Sequence, residues 1–103
     1  MKYDLVVRPE AEADTREACR WYEEQREGLG ADFLLCVEAC IESIQERPEF
    51  CRRIHKDVRR ALVRRFPYGV FYTISDRIVA VLAVLHCRRN PKQWIDRYRA
   101  SIQ

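Results

Sequence analysis

No apolar run in the 103 residues approaches the roughly 20 needed to cross a bilayer, so a membrane-spanning chain is excluded. The opening residues Met1-Lys2-Tyr3-Asp4 carry an acid and lack the apolar block of a secretory signal, and a cytoplasmic location is expected. Cysteine is present but unpatterned. Cys19, Cys36, Cys40, Cys51 and Cys87 are odd in number and contain no CxxC pair, which argues against a disulfide framework. Histidine is limited to His55 and His86. Cys36 and Cys40 stand four apart, and Cys51 and His55 form a single C-x3-H pair. Neither has a second pair to complete a metal site, so no metal and no cofactor are expected, and the cysteines read as small buried hydrophobes. Internal repeats and low-complexity stretches are also missing.

What is present is enough for a globular unit. Hydrophobic residues make up 48% and charged residues 34% of the chain, a balance that disordered chains do not show. The length suits one domain over residues 1–103. The net charge of +3 hides an asymmetry: residues 1–50 sum to −7 and residues 51–103 to +10. Arginine supplies 16 of the 19 basic side chains, and its planar fork suits bidentate contact with carboxylate or phosphate. Unless the two halves neutralise each other in space, one face is cationic and attracts an acidic polypeptide or nucleic acid.

The periodicity gives an element order. Tyr3 to Val7 is short and β-rich, and Pro9 stops it while opening a helix whose first turn carries Glu10 and Glu12. Ala11, Thr15, Ala18 and Tyr22 form an apolar stripe that predicts a helix to about Gln25. Gly28-Leu29-Gly30 then breaks the chain. A second helix carries Phe33, Val37, Cys40, Ile41 and Ile44 on one face until Pro48 ends it, so the two helices form an antiparallel hairpin. Residues 48–58 read as a loop. Alternation then predicts strands over Arg59–Phe66, Val70–Ile74 and Ile78–Leu85, with a bend at Pro67-Tyr68-Gly69 and a tight turn at Ser75-Asp76-Arg77. Asn90-Pro91-Lys92-Gln93 reads as an N-cap, a first-turn proline and a capping-box Gln before a short terminal helix with Trp94 and Tyr98. The expectation is an α+β fold, β-α-α-β-β-β-α, with the helical hairpin packed on a small, mostly antiparallel sheet.

Three strings extend this reading. Trp21-Tyr22-Glu23-Glu24-Gln25 with Gly28-Leu29-Gly30-Ala31-Asp32-Phe33, the stretch from Arg59 to Tyr72, and Val84 to Trp94 together resemble the RelE/ParE superfamily of toxins from type II toxin–antitoxin pairs. They fall closest to its ParE-like branch of plasmid-stabilisation proteins. The resemblance implies a cognate antitoxin whose C-terminal segment wraps the toxin. It also implies one of two activities, poisoning of DNA gyrase by binding or cleavage of mRNA on the ribosome. A member that binds antitoxin but has lost toxicity, and a homodimer formed when the antitoxin is absent, are further readings.

RNA cleavage without a metal requires a base for the 2′-hydroxyl, an acid for the leaving oxygen and cations for the phosphorane charge. His86, Arg88 and Arg65 are the candidates for that chemistry, with His55 and Arg64 behind them. RelE-like nucleases fill a place early in the third strand with a basic residue and carry a tyrosine near the C-terminus. The matching positions here are Gly69 and Trp94, so the set is incomplete. The reading is therefore a binding protein, in which Arg59, Arg60, Arg64, Arg65, Arg88, Arg89 and Trp94 contact partners. His86 is expected to hydrogen-bond nearby backbone and order the turn into the last helix. Direct nucleic acid binding is left open.

Overall fold

The computed structural model describes residues 2–102. The elements are β1 (Asp4–Val7), α1 (Pro9–Gln25), α2 (Leu29–Glu46), β2 (Arg53–His55), β3 (Val58–Leu62), β4 (Tyr68–Ser75), β5 (Ile78–His86) and α3 (Lys92–Ser101). The sheet runs β1-β5-β4-β3-β2. β1 is parallel to β5 and the remaining pairs are antiparallel. The α+β class and the helical hairpin are as the sequence predicts, with three differences. A fifth strand, β2, lies inside the stretch read as a loop, and it pairs with β3 across a turn in which Lys56 takes φ 49°. β3 ends at Leu62 instead of Phe66, and β4 begins at Tyr68, so Tyr68 and Gly69 belong to a strand and not to a bend.

The break between the helices is built by glycine. Gly28 sits at φ 88°, in the left-handed region, and a Cβ on Gly30 would lie 2.6 Å from the Cys19 carbonyl oxygen. The Glu23 carboxylate accepts from Gly28 N at 2.9 Å and from Gly30 N at 3.0 Å, so an α1 side chain caps the start of α2. The hairpin buries Ala11, Ala18, Phe33, Val37 and Ile44 against Val70, Tyr72, Val79, Val81 and Val84 on one sheet face. The other face packs Val58, Phe71, Leu82, Ala83 and Leu85 under Trp94 and Tyr98 of α3. A strand covered on both faces reads as a continuous apolar run, which is why Ile78 to Leu85 shows no alternation.

The two faces depend on an irregularity in β5. Phe71 pairs with Ala83 but Tyr72 pairs with Val81, so Leu82 is an extra residue on β5. The bulge lies where β5 loses its outer neighbour. β1 follows it only to Val81, where Arg8 N donates to Val81 O, and Pro9 then turns the chain into α1. Two side chains replace the missing strand. Asp14 of α1 accepts from Val84 N at 3.0 Å, and Arg97 of α3 donates to Leu82 O at 3.1 Å. They also pair with each other, with Arg97 Nη1 to Asp14 Oδ2 at 2.6 Å and Nη2 to Oδ1 at 3.0 Å, and they are 11% (Asp14) and 19% (Arg97) exposed. This bidentate pair joins helices on opposite faces of the sheet around the uncovered strand end.

None of the five cysteines is in a disulfide. Four are half-buried and Cys87 is exposed, so only four approach the buried role read from the sequence. No cluster of three metal-ligating side chains occurs among the described residues. Burial, with Cys51 beside it, pushes the Cys40 thiol from its ordinary 9.0 to about 12, and burial also raises Tyr72, whose hydroxyl donates to Pro48 O at 2.7 Å.

Two outcomes follow. Replacing Asp14 by Ala leaves Val84 N and Arg97 without their acceptor, and should cost about 3 kcal/mol in urea unfolding. In alkaline solution the unfolded chain releases the Cys40 and Tyr72 protons before the native chain does. Stability is therefore intact below about pH 9 and declines as pH rises toward 12. Urea midpoints measured from pH 7 to 11 should show the decline, and Cys40→Ala should make it shallower.

Candidate functional site

The arginines expected to share one surface divide into groups. The register places Leu62 opposite Gly69 and Tyr68 opposite His86, and Cys87 N donates to Pro67 O at 2.8 Å. The loop carrying Arg64 and Arg65 therefore adjoins the loop carrying Arg88 and Arg89, at one end of the sheet. Within that group the heads differ. Arg65, at φ 71°, lies 3.7 Å from the Asp32 carboxylate of α2 and 5.5 Å from the Phe66 ring centre. Arg89 donates to Gln93 Oε1 at 3.2 Å. Arg64 and Arg88 are exposed, and no acid pairs with either among the described residues.

Arg59 is not part of this group. It points along the hairpin face of the sheet and donates to the Glu49 and Cys51 carbonyls, fastening the segment before β2. Arg60 is on the opposite face, where its Cγ and Cδ would each be 2.9 Å from a Cβ on Gly69. Gly69 thus makes room for an arginine stem. The positive charge of the second half is partly consumed within the molecule, by Asp14 on Arg97, by Asp96 on Lys92 and by Asp32 near Arg65.

Trp94, expected at a partner surface, is 7% exposed and stacks on Phe71 with ring centres 5.1 Å apart. It belongs to the core under α3. The accessible indole is Trp21, 54% exposed on α1. His86 has the structural role expected of it: its Nδ1 accepts from Arg88 N at 3.0 Å and shapes the turn toward α3. Asn90 Oδ1 accepts from Lys92 N at 2.9 Å and so caps α3, whereas Gln93 takes Arg89 as partner and does not close a capping box. His55 is far from this end of the sheet, edge-on to Trp94 and Tyr98.

A groove of about 650 Å³ lies between α2 and β3. Cys36, Cys40 and Cys51 line its floor. Leu35, Phe50 and Leu62 stand around it, 64%, 77% and 65% exposed, and Arg47 and Arg64 carry the charge at its margins. Large apolar side chains this exposed mark a docking surface when they are contiguous. Sequence reasoning missed all three. Leu35 had a visible signal, since it falls off the Phe33-Val37-Cys40-Ile44 stripe and so interrupts the polar side of its helix. Phe50 stood in a stretch read as a featureless loop. Leu62 alternates regularly, and only the absence of anything packed over that part of β3 exposes it.

Comparison with known proteins fits this geometry. The fold matches a chromosomal ParDE system of P. aeruginosa at a TM-score of 0.74 and 13% identity, over 82% of this chain and 96% of that one. It also matches a mutant of the E. coli toxin RelE in its free state at a TM-score of 0.73 and 18% identity, over 100% of both chains. No curated protein matches the sequence. Residues 5–91 match the family described as ParE toxin of the type II toxin–antitoxin system parDE, a span from β1 through the β5–α3 turn. The chain belongs to the ParE toxin family.

Proposed function

We propose that this chain acts by binding and not by catalysis. It engages DNA gyrase as a poison, and a cognate antitoxin silences it by seating an acidic amphipathic helix in the α2–β3 groove. The groove carries the antitoxin half of this reading. Its apolar floor with arginines at the margins is complementary to a helix that presents aliphatic residues on one side and acids beside them. The rim charges are expected to speed encounter more than they tighten the complex.

The binding mode is supported by what the end of the sheet lacks as a reaction centre. Gly69 contributes no side chain, Trp94 is packed away on Phe71, and His86 Nδ1 is occupied by backbone. The exposed Arg64 and Arg88 suit contact with an acidic surface of the target.

Two measurements test the reading. Purified toxin added to a gyrase supercoiling reaction should accumulate cleaved DNA; unimpaired supercoiling at saturating toxin would reject gyrase as the target. Discrete new 5′ ends on translated mRNA in primer extension would support the ribosomal nuclease instead. For the antitoxin, Phe50→Ala should cost about 2 kcal/mol of affinity, as truncating a central aromatic does. Arg47→Glu with Arg64→Glu should lower the association rate about tenfold and reduce its dependence on salt.

A further inference from the structure

A second cavity, of about 580 Å³, opens on the α1 flank of the hairpin and shares none of its lining with the α2–β3 groove. Its walls are the Trp21, Tyr22 and Tyr68 rings and the His86 imidazole, with Glu17 on the α1 side and Arg89 on the α3 side. Aromatic contacts make this wall firm. Trp21 meets Tyr22 edge-on at 5.1 Å, Tyr22 packs against Phe33 at 5.1 Å and Phe66 at 4.8 Å, and Tyr68 meets His86 at 5.5 Å.

The polar groups are arranged for something absent from the chain itself. Because His86 Nδ1 accepts from Arg88 N, the neutral ring carries its proton on Nε2, as a donor. Among the described residues, the Tyr68 hydroxyl and the Glu17 carboxylate have no hydrogen-bond partner in the protein. Glu17 and Arg89 both act on the Tyr68 hydroxyl, in opposite senses, yet they form no ion pair with each other. Asp14, which also lines the cavity, is already engaged by Arg97 and Val84 N. A carboxylate and a guanidinium facing one aromatic-walled space, unpaired with each other, suit a flat ligand that carries donors at one end and negative charge at the other.

We propose that this cavity binds a free guanine mononucleotide: the base packs on Trp21, its N1–H and N2–H donate to the Glu17 carboxylate, and Arg89, His86 Nε2–H and the Tyr68 hydroxyl hold the phosphate. The volume lies in the range of single small-molecule sites and suits one nucleotide, not a strand. Adenine offers an acceptor where guanine offers N1–H, so Glu17 discriminates against it. The site is independent of the gyrase reading, because it lies away from the antitoxin groove and is read out without toxicity.

The test is fluorescence titration of the purified chain. Trp21 is solvent-facing and Trp94 is buried, so quenching by a stacked base reports on Trp21. GMP should quench saturably and AMP should bind about tenfold more weakly, while inorganic phosphate should compete without quenching. Glu17→Gln should lower GMP affinity about tenfold and leave AMP unchanged. Arg89→Gln should weaken GMP about tenfold and leave guanosine unchanged. Trp21→Phe, an exposed and conservative change, should abolish the quenching while calorimetry still detects GMP. Failure of GMP to bind in calorimetry, equal affinity for AMP and GMP, or a single-stranded RNA tetranucleotide binding more than about tenfold tighter than GMP would each overturn the proposal.

Discussion

The two-faced sheet depends on how the bare end of β5 is closed. A central strand with one neighbour missing presents unpaired N–H and C=O groups inside a core, and each costs free energy comparable to a lost hydrogen bond. Asp14 and Arg97 satisfy those groups and neutralise one another in the same act. The salt bridge by itself would be weak evidence of stability, because removing two charges from water offsets most of their attraction. Its value is structural. It is the point at which α1, β5 and α3 are in register, and it keeps the Leu82 bulge where Val84 can face the hairpin while Ala83 and Leu85 face α3.

That arrangement sets what the surface can do. With α1 tied across the strand end and α3 over the opposite face, the flank of α2 beside β3 stays open. Among the described residues no element packs over the Leu62 side of β3, and the segment before β2, drawn in by Arg59, brings Phe50 beside the groove. Membership of the ParE toxin family implies an antitoxin partner. The charge asymmetry of the sequence is modulated by the same packing. Arg97 is consumed in the strand-end pair, Lys92 pairs with Asp96 and Arg65 leans on Asp32, so the charge of the second half is partly neutralised within the fold.

Much of this was legible in the sequence for physical reasons. Helix periodicity exposed the hairpin because burial of one stripe is local to each helix, and Gly28 and Gly30 marked a left-handed turn and a close helix contact that only glycine admits. The role of His86 was also legible, since a lone imidazole at a strand end has backbone within reach. Strand β2 was not, because three residues, two of them exposed, are too few to carry an alternation that can be detected.

The helical hairpin, the glycine turn between its helices and the division of charge were determined by the sequence alone, since each reflects what a residue does to its own few neighbours. The tertiary structure decided which charges remain free, which tryptophan is buried and which apolar side chains are left over. Trp94 and Trp21 each stand on a helix with a polar opposite side, and only the sheet lying beneath α3 separates them. Asp14 and Arg97 are 83 residues apart, and nothing local announces that they meet. Pairing at that distance is a property of how strands and helices stack, and stacking is set by the whole core.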